Sequence, residues 1–352
     1  MYLSPDHREA KSGLDYAAGE PQGVPMIAAR RTILAIAILL APIFTAALAD
    51  AQDWPTRPVT MVVPFAPGGG TDVLGRIVAR RLSETLGQQV VVENIGGAGG
   101  MIGSDRVVNA TPDGYEFDLG SRADAINQTL YKHPLYNFKE DLVPVILIAD
   151  QAMVLIARKD FPVNGLQEFI AYLRKNQSTL RSGSAGIGST GYVDCALFNQ
   201  AIGVNVQDIP YRGGGPAIQD LIAQQFDYFC TLAPTGVPPL QAGLVKGIAV
   251  LGHNRLPSLP DFATTFEQGM DFAASTWFGF FVPKGTPPLI IKRLHDATAE
   301  AINTPSVQEQ LIATGTFIVP PEHQTTEYLQ SIIGLEIEKN GAPLKAAGMS
   351  IE

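Results

Sequence analysis

The chain has 352 residues, enough for about two domains and for cores that need no disulfide staples. Hydrophobic residues make up 46% and charged residues 17%, which excludes a disordered or low-complexity chain. A formal net charge of -9 lacks the basic footprint of a general nucleic-acid binder, and two cysteines supply neither a disulfide framework nor a Cys-based zinc site.

Residues 1–51 read as an address rather than as part of the fold. Arg30 and Arg31 form a basic start, residues 33–48 are apolar with a break at Pro42, and Ala49-Asp50-Ala51 is a small-x-small cleavage site. That is the pattern of a secretory signal peptide over 26–51; the short, proline-broken run argues against a membrane anchor. The residues around the paired arginines do not make a twin-arginine export motif. Met26 offers a second start, so residues 1–25 are expected to be a disordered extension. No later apolar run is long enough to span a bilayer, and an exported, periplasmic product is expected.

Strands and helices then alternate. Residues 59–65 predict a strand, and Leu74, Val78, Leu82 and Leu86 at i, i+4 spacing predict a helix over 71–86. A strand over 89–93, a glycine-rich turn at 96–100 opening a helix to 108, and a strand over 115–119 follow. Residues 143–157 are apolar and strand-rich. Leu166, Phe169, Ile170 and Leu173 mark a helix, residues 181–184 and 204–211 strands, and Ala217, Ile218, Leu221 and Ile222 another helix. Residues 226–230 and 247–251 predict strands, and 277–283 a strand leading back to the first block. Ile290, Leu294, Ala297 and Ala301 line a helix, and two more helices end the chain. Repeated βα units predict an α/β fold with mostly parallel sheets, helices on both faces and two lobes. Ligand is expected at the carboxyl ends of the strands, where the glycine-rich turns fall.

Those turns carry the candidate chemistry. Phe65-Ala66-Pro67-Gly68-Gly69-Gly70-Thr71-Asp72 brings three glycines to a helix N-terminus, where unpaired amides and the helix dipole favour an anion. A plain turn with Thr71 or Asp72 as helix cap is the alternative. No lysine follows the glycines, which excludes a Walker A loop. Gly186-Ile187-Gly188-Ser189-Thr190-Gly191 spells G-x-G-x-x-G with Asp208 downstream, but an exported protein meets little nicotinamide dinucleotide. A second anion cradle, with the hydroxyls of Ser184, Ser189 and Thr190 beside free amides, and a simple turn both stay open. Tyr211-Arg212-Gly213-Gly214-Gly215 is a third such turn, with Tyr211 placed to close over a ligand and Arg212 either an anion partner or a surface charge. Gly120-Ser121-Arg122 ends the third strand; Arg122 offers a bidentate grip on a carboxylate, or a surface ion pair with Asp124.

Catalytic constellations are missing. His133, His253, His295 and His323 are scattered without metal-ligand spacing, and Ser184 lacks a nucleophile elbow because Ser182 stands where the first glycine belongs. Cys195 and Cys230 are either bridged, as export permits, or separate and buried. Several anion-friendly turns with no general base, metal or cofactor site point to binding rather than catalysis.

In order and spacing these segments resemble the solute receptors of tripartite tricarboxylate transporters, the TctC or Bug family. The resemblance is carried by Trp54-Pro55-Thr56-Arg57-Pro58, by residues 63–72, by Val92-Glu93-Asn94 with Gly97-Ala98-Gly99-Gly100, and by Ala125-Ile126-Asn127 with Leu130-Tyr131. Further on it is carried by Gly183-Ser184-Ala185-Gly186, Pro210-Tyr211-Arg212-Gly213-Gly214, Leu259-Pro260-Asp261, Trp277-Phe278-Gly279 and Gly285-Thr286-Pro287.

The resemblance implies a two-lobed, type II periplasmic-binding-protein-like fold. Lobe 1 takes 53–153 and 277–352, lobe 2 takes 154–276, and the ligand cleft lies between them. A monomer without a cofactor would capture an organic carboxylate and deliver it to the membrane permease subunits of a tripartite tricarboxylate transporter. A receptor presenting its ligand to a signalling partner is the alternative within the family; a NAD-dependent oxidoreductase is the alternative outside it. The ligand residues expected are Phe65, Ala66, Gly68, Gly69, Gly70, Thr71 and Asp72, then Ser121 and Arg122, then Ser184, Ala185, Gly186, Ser189 and Thr190, and finally Tyr211, Arg212 and Gly213. Two departures bear on the ligand. Arg122-Ala123-Asp124 stands where the family often has small polar residues, which favours a second carboxylate. The family's acidic residue is missing near Thr231, after the strand bearing Asp227, which disfavours an amino acid. A dicarboxylate is expected, aliphatic or aromatic, with Phe65 and Tyr211 placed to flank a flat ring.

Overall fold

The computed structural model describes residues 54–346 and 349–351; the expected signal peptide lies outside them. No helix among the described residues is long and apolar enough to cross a membrane. The first unit is β1 (Val59–Val63), a glycine turn and α1 (Gly70–Leu86). Leu74, Val78, Leu82 and Leu86 are buried along one face of α1, and Gly87 ends the helix in the left-handed region at φ 71°. β2 (Val90–Asn94), α2 (Met101–Val108), β3 (Glu116–Ser121) and α3 (Arg122–Leu130) follow. β1 pairs parallel with both β2 and β3, as helical crossovers require.

A short helix α4 (Phe138–Asp141) leads into β4 (Leu142–Arg158), a 17-residue strand that is buried nearly throughout. As far as Ala152 it runs antiparallel to β9 (Ser275–Pro283). Its remaining residues run antiparallel to β7 (Tyr228–Leu232) and β8 (Val245–Val250). One strand therefore serves two blocks of sheet. The second block adds α5 (Leu166–Asn176), β5 (Arg181–Ser184), α6 (Thr190–Ala201), β6 (Gln207–Pro210), α7 (Gly214–Ile222) and α8 (Ala233–Gln241). β5 pairs parallel with β6 and β7. After β9 come α9 (Pro288–Ile302), α10 (Pro305–Ala313), β10 (Thr316–Ile318) and α11 (Thr326–Ala346). The strand order is β2-β1-β3-β9-β4-β7-β5-β6, with β8 and β10 also on β4. Parallel pairing holds inside the βα units, whereas β4 and β9, which carry the chain between the blocks, run against their neighbours.

Alternation along the strands gives each block a core on both faces. In the first, Leu74, Val78, Phe117, Phe280 and Leu294 pack on one face, and Met101, Phe138, Phe281 and Leu329 on the other. In the second, Leu155, Phe169, Phe198 and Tyr228 oppose Ile156, Ala217, Phe229 and Val237. The expected order lacks α3, α4, α6, α8 and β10. α8 contains Pro234, Pro238 and Pro239, which read as breakers, yet Pro234 sits in the first turn, where its missing amide costs nothing. β10 has three residues. The strand expected over 204–211 shrinks to β6, and that over 226–230 shifts to β7.

Cys195 on α6 and Cys230 on β7 form a disulfide that closes 35 residues. A loop of that length gives roughly 3–4 kcal/mol of stabilisation through the unfolded chain. Replacing both cysteines with serine is expected to lower the unfolding free energy by about that amount in urea titration, and the native protein should show no reactive thiol.

Candidate functional site

The N-termini of α1, α3, α6, α7 and α8 converge on one cavity of about 40 Å³. Gly69, Gly70 and Thr71 line it from α1, and Ser121 from α3. Ser189, Thr190 and Gly191 come from α6, Gly214 from α7, and Leu232 and Thr235 from α8. Phe65, Phe229 and Phe278 form apolar walls; Ala185, Cys230, Thr231 and Thr276 complete it. First-turn amides have no acceptor within their own helix, and each helix start carries partial positive charge. Among the described residues, no Lys, Arg, His, Asp or Glu lines the cavity. Such a site attracts an anion through neutral dipoles alone. Each helix end contributes about 0.3–1 kcal/mol, up to about 2 when partly buried.

The surrounding bonds fix these ends. The Asp72 carboxylate accepts from the Gly68 N–H (3.0 Å), Arg76 Nε (3.0 Å) and Asn94 Nδ2 (2.9 Å). Burial pushes its pKa up, but these donors and the Arg76 charge together pull it below the ordinary value. The Gly70 N–H donates to Thr235 Oγ1 (2.8 Å), and Gln151 Nε2 donates to the Gly70 carbonyl (3.1 Å). Thr190 Oγ1 and Thr276 Oγ1 are hydrogen-bonded at 3.1 Å.

Ser121 caps α3, its Oγ accepting from the Ala123 N–H (3.3 Å) while its own N–H donates to Asp124 (2.8 Å). Asp124 also accepts from Ser104 Oγ (2.8 Å) and the Tyr136 hydroxyl. Asp118 lies beside this group, fully buried, with no hydrogen-bond partner for either oxygen among the described residues. Burial first, then the Asp124 charge, hold the Asp118 carboxyl well above the ordinary range. Burial raises the Asp124 carboxyl as well, against the pull of its three donors.

The description "Tripartite tricarboxylate transporter family receptor" (TctC) matches residues 74–349. The chain belongs to this family. The periplasmic binding protein BugD has 36% sequence identity, covers 85% of this chain and all of its own, and superposes with a TM-score of 0.81. MatC from Rhodopseudomonas palustris, solved with bound malate, has 34% identity over 83% of this chain and all of its own, with a TM-score of 0.79. An R. palustris protein solved with adipate has 32% identity over 84% of this chain and 99% of its own, with a TM-score of 0.80. The fold is that of the TctC/Bug periplasmic binding proteins, a family of solute-binding receptors and not of enzymes.

Within this TctC receptor the cavity gathers eight of the residues expected from the sequence: Phe65, Gly69, Gly70, Thr71, Ser121, Ala185, Ser189 and Thr190. Ala66, Gly68, Asp72, Arg122, Ser184, Gly186, Tyr211, Arg212 and Gly213 are not in its lining. Arg122 is engaged by Asp194 (2.9 Å) and Glu336 (3.0 Å), not by Asp124, which caps α3 instead. The Tyr211 hydroxyl donates to Asp220 (2.7 Å) and its ring packs against Phe226, so it does not close over the cavity. Ser184 Oγ donates to Asp208 (2.7 Å), whose carboxyl burial pushes up to about 6 against the Ser184 and Ser182 bonds. Arg212 offers its carbonyl to the Ala66 N–H (2.9 Å) while its side chain is exposed. The lining residues not foreseen are Gly191, Gly214, Phe229, Cys230, Thr231, Leu232, Thr235, Thr276 and Phe278. Thr276 and Phe278 follow from alternation along β9, whereas the prolines of α8 concealed Thr235.

Several glycines outside the lining serve close backbone approach. A Cβ at Gly99 would lie 2.5 Å from the Ile187 carbonyl oxygen, and one at Gly213 2.7 Å from Ala66 N. The G-x-G-x-x-G turn is filled in the same way: a Cβ at Gly188 would lie 2.2 Å from Asn127 Oδ1, and one at Gly186 2.8 Å from the Tyr211 carbonyl oxygen. The turn packs against Asn127 and Tyr211.

Gly215 tests this contact. It lies inside α7 with ordinary helical backbone, yet a Cβ there would stand 1.9 Å from the Pro67 carbonyl oxygen. Alanine favours the helix by roughly 0.5–1 kcal/mol but blocks the approach, an overpacking cost of about 1–3 kcal/mol. Gly215→Ala is therefore expected to lose a net of about 0.5–2 kcal/mol of stability in urea titration, and an unchanged midpoint contradicts the contact.

The Asp118 proton gives a pH signature. Its pKa is raised on folding, so its contribution is full below the unfolded value near 3.8 and is lost as pH rises toward the folded value. Over that window stability falls by up to about 1.4 kcal/mol per pH unit. Asp118→Asn should flatten this fall in urea unfolding between pH 5 and 9; a parallel fall in both proteins contradicts the assignment.

Proposed function

We propose that this TctC/Bug-family periplasmic receptor captures a compact aliphatic dicarboxylate for uptake by a tripartite tricarboxylate transporter. The observation that carries the reading is the convergence of five helix N-termini on one cavity with no charged side chain in its lining. Helix starts from both blocks of sheet face the same space. Each carboxylate can take amides and hydroxyls from a different block, and the three phenylalanines suit the carbon chain between them. Tyr211, turned away to Asp220, does not flank the cavity, which favours an aliphatic over an aromatic acid. The malate and adipate in the two R. palustris proteins are of this class.

On this reading 53–153 with 277–352, and 154–276, are two lobes hinged where β4 and β9 pass from one block to the other. The glycine contacts are then the seal of the closed state. Closure excludes water and strengthens every hydrogen bond inside. The closed receptor, a monomer, hands its acid to the membrane permease without chemistry on it.

Titration calorimetry and thermal shift across malate, adipate, longer and aromatic dicarboxylates, monocarboxylates and amino acids test the proposal. A C4–C6 dicarboxylate at 100 times its Kd is expected to add about 2.7 kcal/mol of stability. Response to amino acids or monocarboxylates alone sinks the dicarboxylate reading.

A further inference from the structure

The guanidinium of Arg122 lies behind the cavity rather than in it. Its Nη1 donates to both oxygens of Asp194 on α6 (2.9 and 3.1 Å) and to the Ser275 carbonyl at the start of β9 (3.2 Å). Its Nε donates to Glu336 on α11 (3.0 Å). The side chains of Arg122, Asp194 and Glu336 are only 13%, 5% and 17% exposed. Three of the elements tied here carry cavity residues: α3 follows Ser121, α6 opens with Thr190, and β9 bears Thr276. Ile126 and Leu130 of α3 meet Val193 of α6 in a small apolar cluster nearby.

We propose that Arg122 is a positioning residue for ligand capture: an interlobe clamp that favours the closed arrangement with or without ligand and does not itself touch the ligand. The proposal rests on the two-lobed receptor reading above. α3 lies in the 53–153 segment and α6 in the 154–276 segment, so the Arg122–Asp194 pair spans the lobes. Ion pairs of this kind act on dissociation. Removing one partner strands the other charge in a buried seam, which favours opening. A steering charge would act on association instead, and loss of a direct ligand contact would leave the ligand-free scattering unchanged.

The test uses the purified protein with malate and adipate as probes in stopped-flow binding, and small-angle X-ray scattering without ligand. Arg122→Ala and Asp194→Asn are each expected to raise the dissociation rate constant about 30-fold or more, with association changed less than about threefold. Arg122→Lys keeps the charge and should restore part of the loss. Ligand-free Arg122→Ala should scatter with a larger radius of gyration than the parent protein. An unchanged dissociation rate, a loss confined to association, or identical ligand-free scattering overturns the clamp. Should the parent protein bind neither acid, the dicarboxylate reading fails and the scattering comparison alone decides the clamp. If Arg122→Ala does not fold, Arg122→Lys and Asp194→Asn carry the same comparisons.

Discussion

Five helices start at one place, and the rest of the molecule follows from what that arrangement demands. In a βα unit the helix begins just past the carboxyl end of its strand, so parallel units deliver their helix starts to one edge. Each start leaves amides without partners and a partial positive charge. Gathering α1, α3, α6, α7 and α8 sums these charges in a small apolar space, where like ends repel. An anion relieves that repulsion and satisfies the amides together. On the proposed two-lobed reading ligand and closure are coupled: the two blocks gain most by approaching when a carboxylate lies between them.

The approach has to be close, because hydrogen bonds and dipoles act over short distances. That explains glycines that bare no amide toward the ligand. Gly99, Gly188, Gly213 and Gly215 each sit where a Cβ would strike backbone or an amide side chain across the seam. Rigidity is supplied from behind by buried polar groups. Asp72 gathers the β1–α1 turn, Asp208 holds Ser184, and Asp124 fixes the Ser121 cap beside Asp118, whose carboxyl burial pushes up. None of these carboxyls lines the cavity, so the anion meets no carboxylate in its wall.

Much of this was legible in the sequence, for identifiable reasons. Leu74, Val78, Leu82 and Leu86 announced α1 because a surface helix must bury one stripe, and the glycines after Pro67 announced its open end. The near-continuous apolar run of residues 143–157 announced a buried strand, but not that one strand would serve two blocks. Periodicity reports burial, and burial is the same on either side of the crossing. α8 stayed hidden because its prolines cancel the helical pattern, and with it went Thr235. Tyr211 and Arg122 lie outside the lining for a different reason. An aromatic ring or a guanidinium beside a glycine turn is chemically suited to a ligand, but its partners, Asp220 for one and Asp194 and Glu336 for the other, lie 9, 72 and 214 residues away.

The exclusion of Arg122 from the lining bears on how a receptor lets go. A guanidinium in contact with the ligand would stay on its own lobe and keep its hold after the lobes part, since its charge does not depend on closure. On the proposed two-lobed reading, helix starts shared between the lobes behave otherwise. When the blocks separate, each retains only its own amides, water returns between them, and the summed field is divided. Affinity then belongs to the closed arrangement rather than to any one residue, and opening alone releases the acid. A clamp set behind the cavity, as proposed for Arg122, adjusts how long closure lasts without adding a charge that the departing ligand must leave behind.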